Sequence, residues 1–218
     1  MNIDWINLLS VVAVDTIGNG GSISVTAVDY DRLIFWTASK SKSCTLTNIS
    51  GDVVQSSILQ YRAANANAPS YYIKFIYVPA GASFTMVTSS TSGGPYDNSS
   101  YSIYKRSDNA GMNLEWINNL SSNINGVIGN AGSVTLPTVS HDTLILWTAH
   151  GSAKTCTITA SSGSYTASGQ LYYRAPEANA PNRYLKLIYA HEKTGLTIST
   201  NSTGGTGYDN SCYTVFVQ

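Results

Sequence analysis

The sequence predicts an all-β protein made of two tandem duplicated β-sandwich domains, jelly-roll or immunoglobulin-like, each preceded by a short N-terminal helix. Three observations predict it. The chain repeats itself once, each copy reads as short strand-like segments between turn signals, and no long helical periodicity interrupts them.

The repeat fixes the organisation. Asn2-Ile-Asp-Trp-Ile-Asn7 returns as Asn113-Leu-Glu-Trp-Ile-Asn118, and Leu33-Ile-Phe-Trp-Thr-Ala38 as Leu144-Ile-Leu-Trp-Thr-Ala149. Tyr61-Arg-Ala-Ala-Asn-Ala-Asn-Ala-Pro69 returns as Tyr173-Arg-Ala-Pro-Glu-Ala-Asn-Ala-Pro181. Tyr96-Asp-Asn-Ser-Ser-Tyr101 returns as Tyr208-Asp-Asn-Ser-Cys-Tyr213. Trp5 and Trp116 lie 111 positions apart and Cys44 and Cys156 lie 112 apart, so one residue was inserted between Trp147 and Cys156. A solenoid repeats every ~20–50 residues, so this longer period is a domain duplication. The expected domains are 1–106 and 113–218, joined by a short polar linker at 107–112.

Each copy opens on a helix candidate. Trp116, Ile117, Leu120 and Ile124 share one helical face, with Asn113 at the N-cap position and Glu115 in the first turn. Trp5, Ile6, Leu9 and Ala13 repeat the spacing. A glycine-rich turn follows, Gly18-Asn-Gly-Gly21 and Gly129-Asn-Ala-Gly132.

The remainder reads as about seven strands per copy. Segments 22–28 and 133–139 come first. The nearly all-apolar 33–38 and 144–149 suit a strand buried on both faces. Cys44-Thr-Leu-Thr47 and Cys156-Thr-Ile-Thr159 alternate, placing the thiol and the aliphatic side chain on one face. Segments 57–62, 71–78, 83–88 and 101–105 follow, with their counterparts 169–174, 183–190, 196–200 and 213–217. Lys74 and Lys186, set among apolar strand residues, are expected to face solvent or a subunit partner on the polar side.

Charge is scarce and balanced: 12 Lys and Arg against 12 Asp and Glu, 11% charged in all. A basic footprint for nucleic acid is absent. No apolar run reaches the ~18 residues of a membrane span, and the first residues have no signal-peptide pattern. Synthesis in the cytoplasm is therefore expected. The three cysteines read as free thiols, with a Cys156–Cys212 bridge as the alternative.

Candidate binding residues come from segments that stayed alike after duplication. Tyr61, Arg62 and Asn67, with Tyr173, Arg174 and Asn179, belong to the nine-residue segments 61–69 and 173–181 that link two strands, where an arginine fork and an amide suit a carboxylate or sugar hydroxyls. Tyr96, Asp97 and Asn98, with Tyr208, Asp209 and Asn210, combine turn chemistry with groups that bind hydroxyls and stack on rings. Asp31 and Asp142 read as turn residues. Asp29 has Ser140 as its counterpart, which argues against a repeated metal site. All four tryptophans read as core.

Catalytic signatures are not found. His141, His150 and His191 all lie in the second copy and have no histidine counterparts, so a general base would exist on one side only. No catalytic residue, metal ligand or cofactor is expected.

These readings give a non-enzymatic structural or interaction protein. The favoured class is a virion component, such as a phage capsid-decoration, tail or adhesion protein. It would be made in the host cytoplasm, released by lysis, and assembled as a homo-oligomer, for example a trimer, with other virion proteins. The alternative is a cytoplasmic, soluble carbohydrate-binding lectin with one glycan site per repeat.

Overall fold

The computed structural model describes residues 1–39, 42–62, 70–89, 99–129, 131–150, 154–174, 183–201 and 211–218, with His150 and Arg174 described in their backbone alone. It is all-β. The first repeat forms β1 (Leu9–Gly18), β2 (Ser22–Val25), β3 (Arg32–Ser39), β4 (Cys44–Ser50), β5 (Val54–Gln55), β6 (Leu59–Arg62), β7 (Tyr71–Val78), β8 (Ser83–Thr88) and β9 (Ser99–Arg106). The second forms β10 (Ser121–Gly129), β11 (Gly132–Leu136), β12 (Thr143–His150), β13 (Cys156–Ser162), β14 (Tyr165–Ala167), β15 (Leu171–Arg174), β16 (Arg183–Ala190), β17 (Gly195–Thr200) and β18 (Ser211–Val217).

Each repeat builds two antiparallel sheets. The larger has six strands in the order β1-β9-β3-β7-β5, with β6 also paired to β7; the smaller runs β2-β8-β4. The second repeat copies both, as β10-β18-β12-β16-β14 with β15 beside β16, and β11-β17-β13.

Strand alternation sorts the apolar side chains into three cores. On β3, Ile34, Trp36 and Ala38 point toward the small sheet and meet Leu46, Phe84 and Met86. Ile145, Trp147 and Ala149 do the same on β12, against Ile158, Ile198 and Leu196. The intervening residues, Leu33 and Phe35 on β3 and Leu144 and Leu146 on β12, point the other way into one shared core. There the two six-stranded sheets lie face to face, and Phe75 packs edge-on against Phe216 with centroids 5.4 Å apart. The layers therefore run three strands, six, six, three. This explains why every residue of β3 is buried: one face is covered by its own small sheet, the other by the sister repeat.

The expected N-terminal helices are corrected. Asp4–Leu8 and Glu115–Asn119 are five-residue 3-10 turns, and neither has a side-chain cap. Asn113 is not the cap; its carbonyl accepts the Trp116 indole N–H at 2.9 Å. Leu9 and Ala13 belong to β1, and Ile124 belongs to β10 and is 41% exposed, so the apparent helical stripe was not one face. A five-residue turn gains little from helix propagation, whereas residues 9–18 gain a full ladder along β9. Both β1 and β10 carry two register shifts at matching places, bulges kept in both copies.

The turns cross over. Asp4–Leu8 packs on β14 and β16 of the second repeat, and Glu115–Asn119 on β5 and β7 of the first. The repeated aspartates Asp31 and Asp142 fasten them. Asp31 Oδ2 accepts the Tyr77 hydroxyl at 2.9 Å and the Met112 amide at 2.7 Å, while Oδ1 accepts the Ala80 amide. Asp142 accepts the Tyr189 hydroxyl and the Glu192 amide, and Tyr189 also reaches the Met1 carbonyl. The aspartates thus order their turns and also tie each repeat to the start of the other.

Two further expectations meet the packing. Lys74 does not face solvent: it is 9% exposed and its Nζ donates to the Cys44 carbonyl at 3.2 Å. Desolvation lowers its pKa. Trp36 and Trp147 are fully buried, whereas Trp5 and Trp116 are half-buried against the shared core. Among the described residues, no helix is long and apolar enough to cross a membrane.

Candidate functional site

Register brings the strand ends that border the two candidate segments to one end of each sandwich. β3 ends at Ser39, which pairs with Tyr71, the first residue of β7; Arg62, the last of β6, pairs with Tyr71 from the other side. Ser100, at the start of β9, pairs with Thr37. Arg62, Tyr71 and Ser99, which border the stretches 63–69 and 90–98, therefore lie at one end of the large sheet, and Thr88, which precedes the second stretch, ends β8 of the small sheet. The second repeat matches this with Arg174, Arg183, His150 and Cys212.

The strand ends at 90–98 and 202–210 are clamped by hydroxyls. Thr88 Oγ1 and Ser99 Oγ lie 2.7 Å apart, and so do Ser211 Oγ and Thr200 Oγ1. Thr200 Oγ1 also accepts the Trp147 indole N–H at 3.0 Å, tying the clamp to the core. A buried hydroxyl pair of this kind satisfies both groups where water is excluded.

Of the twelve candidate residues, Tyr61, Arg62 and Tyr173 have described side chains, and all three sit in the contact between repeats. Tyr61 and Tyr173 are each 1% exposed, and their hydroxyls meet at 3.3 Å. Burial, then the neighbouring Tyr173, holds the Tyr61 phenol well above its ordinary pKa. Arg62 is 2% exposed, with its guanidinium 5.6 Å from the Tyr71 ring centroid. Arg174 is described in its backbone alone, as the end of β15. Asn67, Tyr96, Asp97, Asn98, Asn179, Tyr208, Asp209 and Asn210 lie outside the described residues.

Hydrogen bonds as well as apolar contacts cross the seam. Thr214 Oγ1 donates to the Tyr61 carbonyl at 2.7 Å, Tyr104 Oη to the Tyr172 carbonyl at 2.8 Å, and Ser122 Oγ to the Gln60 carbonyl at 3.0 Å. Arg62 of the first repeat also faces the start of β18. The Cys212 thiol there is raised by burial, with the Arg62 and Lys154 charges acting against that rise. All three cysteines are free thiols.

Sequence reasoning missed the most unusual pair in the seam, Tyr71 and Arg183. Arg183 Nη2 donates to the Tyr71 hydroxyl at 3.0 Å, and its guanidinium lies 4.4 Å from the ring centroid. The signal was available: these positions are 112 apart and are counterparts, yet one is tyrosine and the other arginine.

His141 is exposed, and His191 Nε2 lies 3.0 Å from Asp4 Oδ1 across the repeats. Among the described residues, no group of three or more His, Cys, Asp or Glu side chains is placed to hold a metal ion. No family model, curated protein or solved structure matches this chain significantly.

Proposed function

We propose that the protein is a non-enzymatic structural and interaction module, a virion component of the capsid-decoration, tail or adhesion kind. One observation carries the reading: the two repeats share a single core, so the chain is one stiff body presenting two equivalent sets of clamped strand ends. A stiff body with paired surfaces and little charge suits repeated contacts within a symmetric assembly. The test is association. Native mass measurement should give a defined oligomer, and the protein should co-purify with particles through washing at high salt. A strict monomer absent from particles overturns the reading.

Carbohydrate binding is the second reading. It rests on the Tyr-Asp-Asn segments, each of which leads into a clamped strand end in both repeats. Two such sites on one body would add avidity. A glycan array decides: binding lost on Asp97→Ala with Asp209→Ala supports this reading, and a blank array removes it.

A further inference from the structure

The contact between repeats has two-fold symmetry in outline but not in sequence. Tyr61 meets its own counterpart Tyr173, with hydroxyls 3.3 Å apart and rings edge-on at 6.3 Å. Residues that touch their counterparts mark the axis of an isologous interface. Beside them Tyr71, which opens β7, meets Arg183, which opens β16; each is 7% exposed. These too are counterparts, and here the chemistry differs.

We infer that the Tyr71–Arg183 pair is a specificity device, which makes this surface fit one first repeat with one second repeat and rejects pairs of like repeats. Two-fold geometry sets the residue at this position against its counterpart. Two second repeats would place Arg183 against Arg183, two like charges removed from water together. Two first repeats would place Tyr71 against Tyr71 and lose the cation over the ring and its hydrogen bond. Correct pairing gains a contact, and one wrong pairing carries a repulsion, so selectivity comes from both sides. A second mismatch acts against pairs of two first repeats. Asp4 of the first repeat receives the Thr166 hydroxyl at 2.9 Å and meets His191 of the second at 3.0 Å. The counterparts of Thr166 and His191 are Val54 and Pro79, so in a pair of two first repeats neither Asp4 would find such partners.

The partner this surface fits is therefore the opposite repeat of the same fold. Within one chain that partner is already in place. Between two chains the surface accepts only a reciprocal exchange, the first repeat of each copy on the second repeat of the other.

The test uses the folded full chain. A protease recognition sequence placed in the exposed connection between Arg106 and Met112 is cut after folding, and the halves are followed by native mass spectrometry. The cut protein is expected to remain a pair of unlike halves. Mixing isotope-labelled and unlabelled cut protein, with or without a cycle of denaturation and refolding, should exchange halves only into unlike pairs. In a cut Arg183→Tyr chain, pairs of two second halves should appear at a tenth or more of the total. Like pairs from the wild-type halves in statistical proportion would overturn the inference. So would an Arg183→Tyr chain that stays folded and exchanges its halves yet gives no like pairs.

Discussion

If the two six-stranded sheets share one core, damage to either repeat must be felt by both. Phe216 tests this. It is 0% exposed on β18 and packs against Phe75 of the first repeat with ring centroids 5.4 Å apart, nearly perpendicular at 83°. Phe216→Ala removes a whole ring from a site walled by two sheets that cannot both collapse inward. A fully buried Phe→Ala change costs about 3–5 kcal/mol. In a chain of 218 residues each kcal/mol moves the melting temperature by about 2–4 °C, so a fall of about 6–20 °C is expected. Scanning calorimetry reads the outcome. Wild type and variant should each show one transition whose calorimetric and van't Hoff enthalpies agree. Ile198→Ala, in the core private to the second repeat, should lower that same transition. Two transitions, with only one moved by Phe216→Ala, would refute the shared core.

The other predictions concern smaller contacts. Asp31→Ala leaves the Met112 and Ala80 amides and the Tyr77 hydroxyl without their acceptor. It should cost about 1–3 kcal/mol in urea titrations, and a loss within error would show that the tie contributes nothing. The Tyr189 hydroxyl holds the Asp142 carboxyl below its ordinary range. Its folded pKa is therefore depressed, so the associated stability is present above the unfolded value of about 3.9 and lost as pH falls through the folded pKa. Wild type should lose more stability than Asp142→Asn between neutral and acid pH, and parallel losses would remove Asp142 as a cause. Burial pushes the Cys44 and Cys156 thiols up to about 12, so both stay protonated at pH ~8 and should react slowly with a disulfide reagent until the protein is denatured. Rapid full labelling of the native protein would contradict that protection.

Much of the architecture was legible in the sequence because strand alternation is a local property. Tyr71–Val78, Arg183–Ala190 and Ser83–Thr88 fall where the sequence places them. Cys44 and Leu46 share the inward face, with Thr45 and Thr47 outward. The edge strands β1 and β10 were misread, since their apolar spacing also fits a helix and only pairing with β9 and β18 decides between them. Lys74 was misplaced for a similar reason: a carbonyl on another sheet satisfies its ammonium. For the candidate site, the sequence located the strand ends, but it could not show that Tyr61, Arg62 and Tyr173 turn into the seam between repeats.

The sequence by itself determined the all-β class, the duplication and which face of most strands is apolar, because these follow from the order of residues along a strand. Tertiary structure decided what covers the second apolar face of β3 and β12. A strand buried on both sides needs two partners, and the sequence does not say that one of them is the sister repeat. That choice turned two similar sandwiches into one body. It also placed Tyr71 against Arg183, two counterparts whose difference matters only because the fold brings them together.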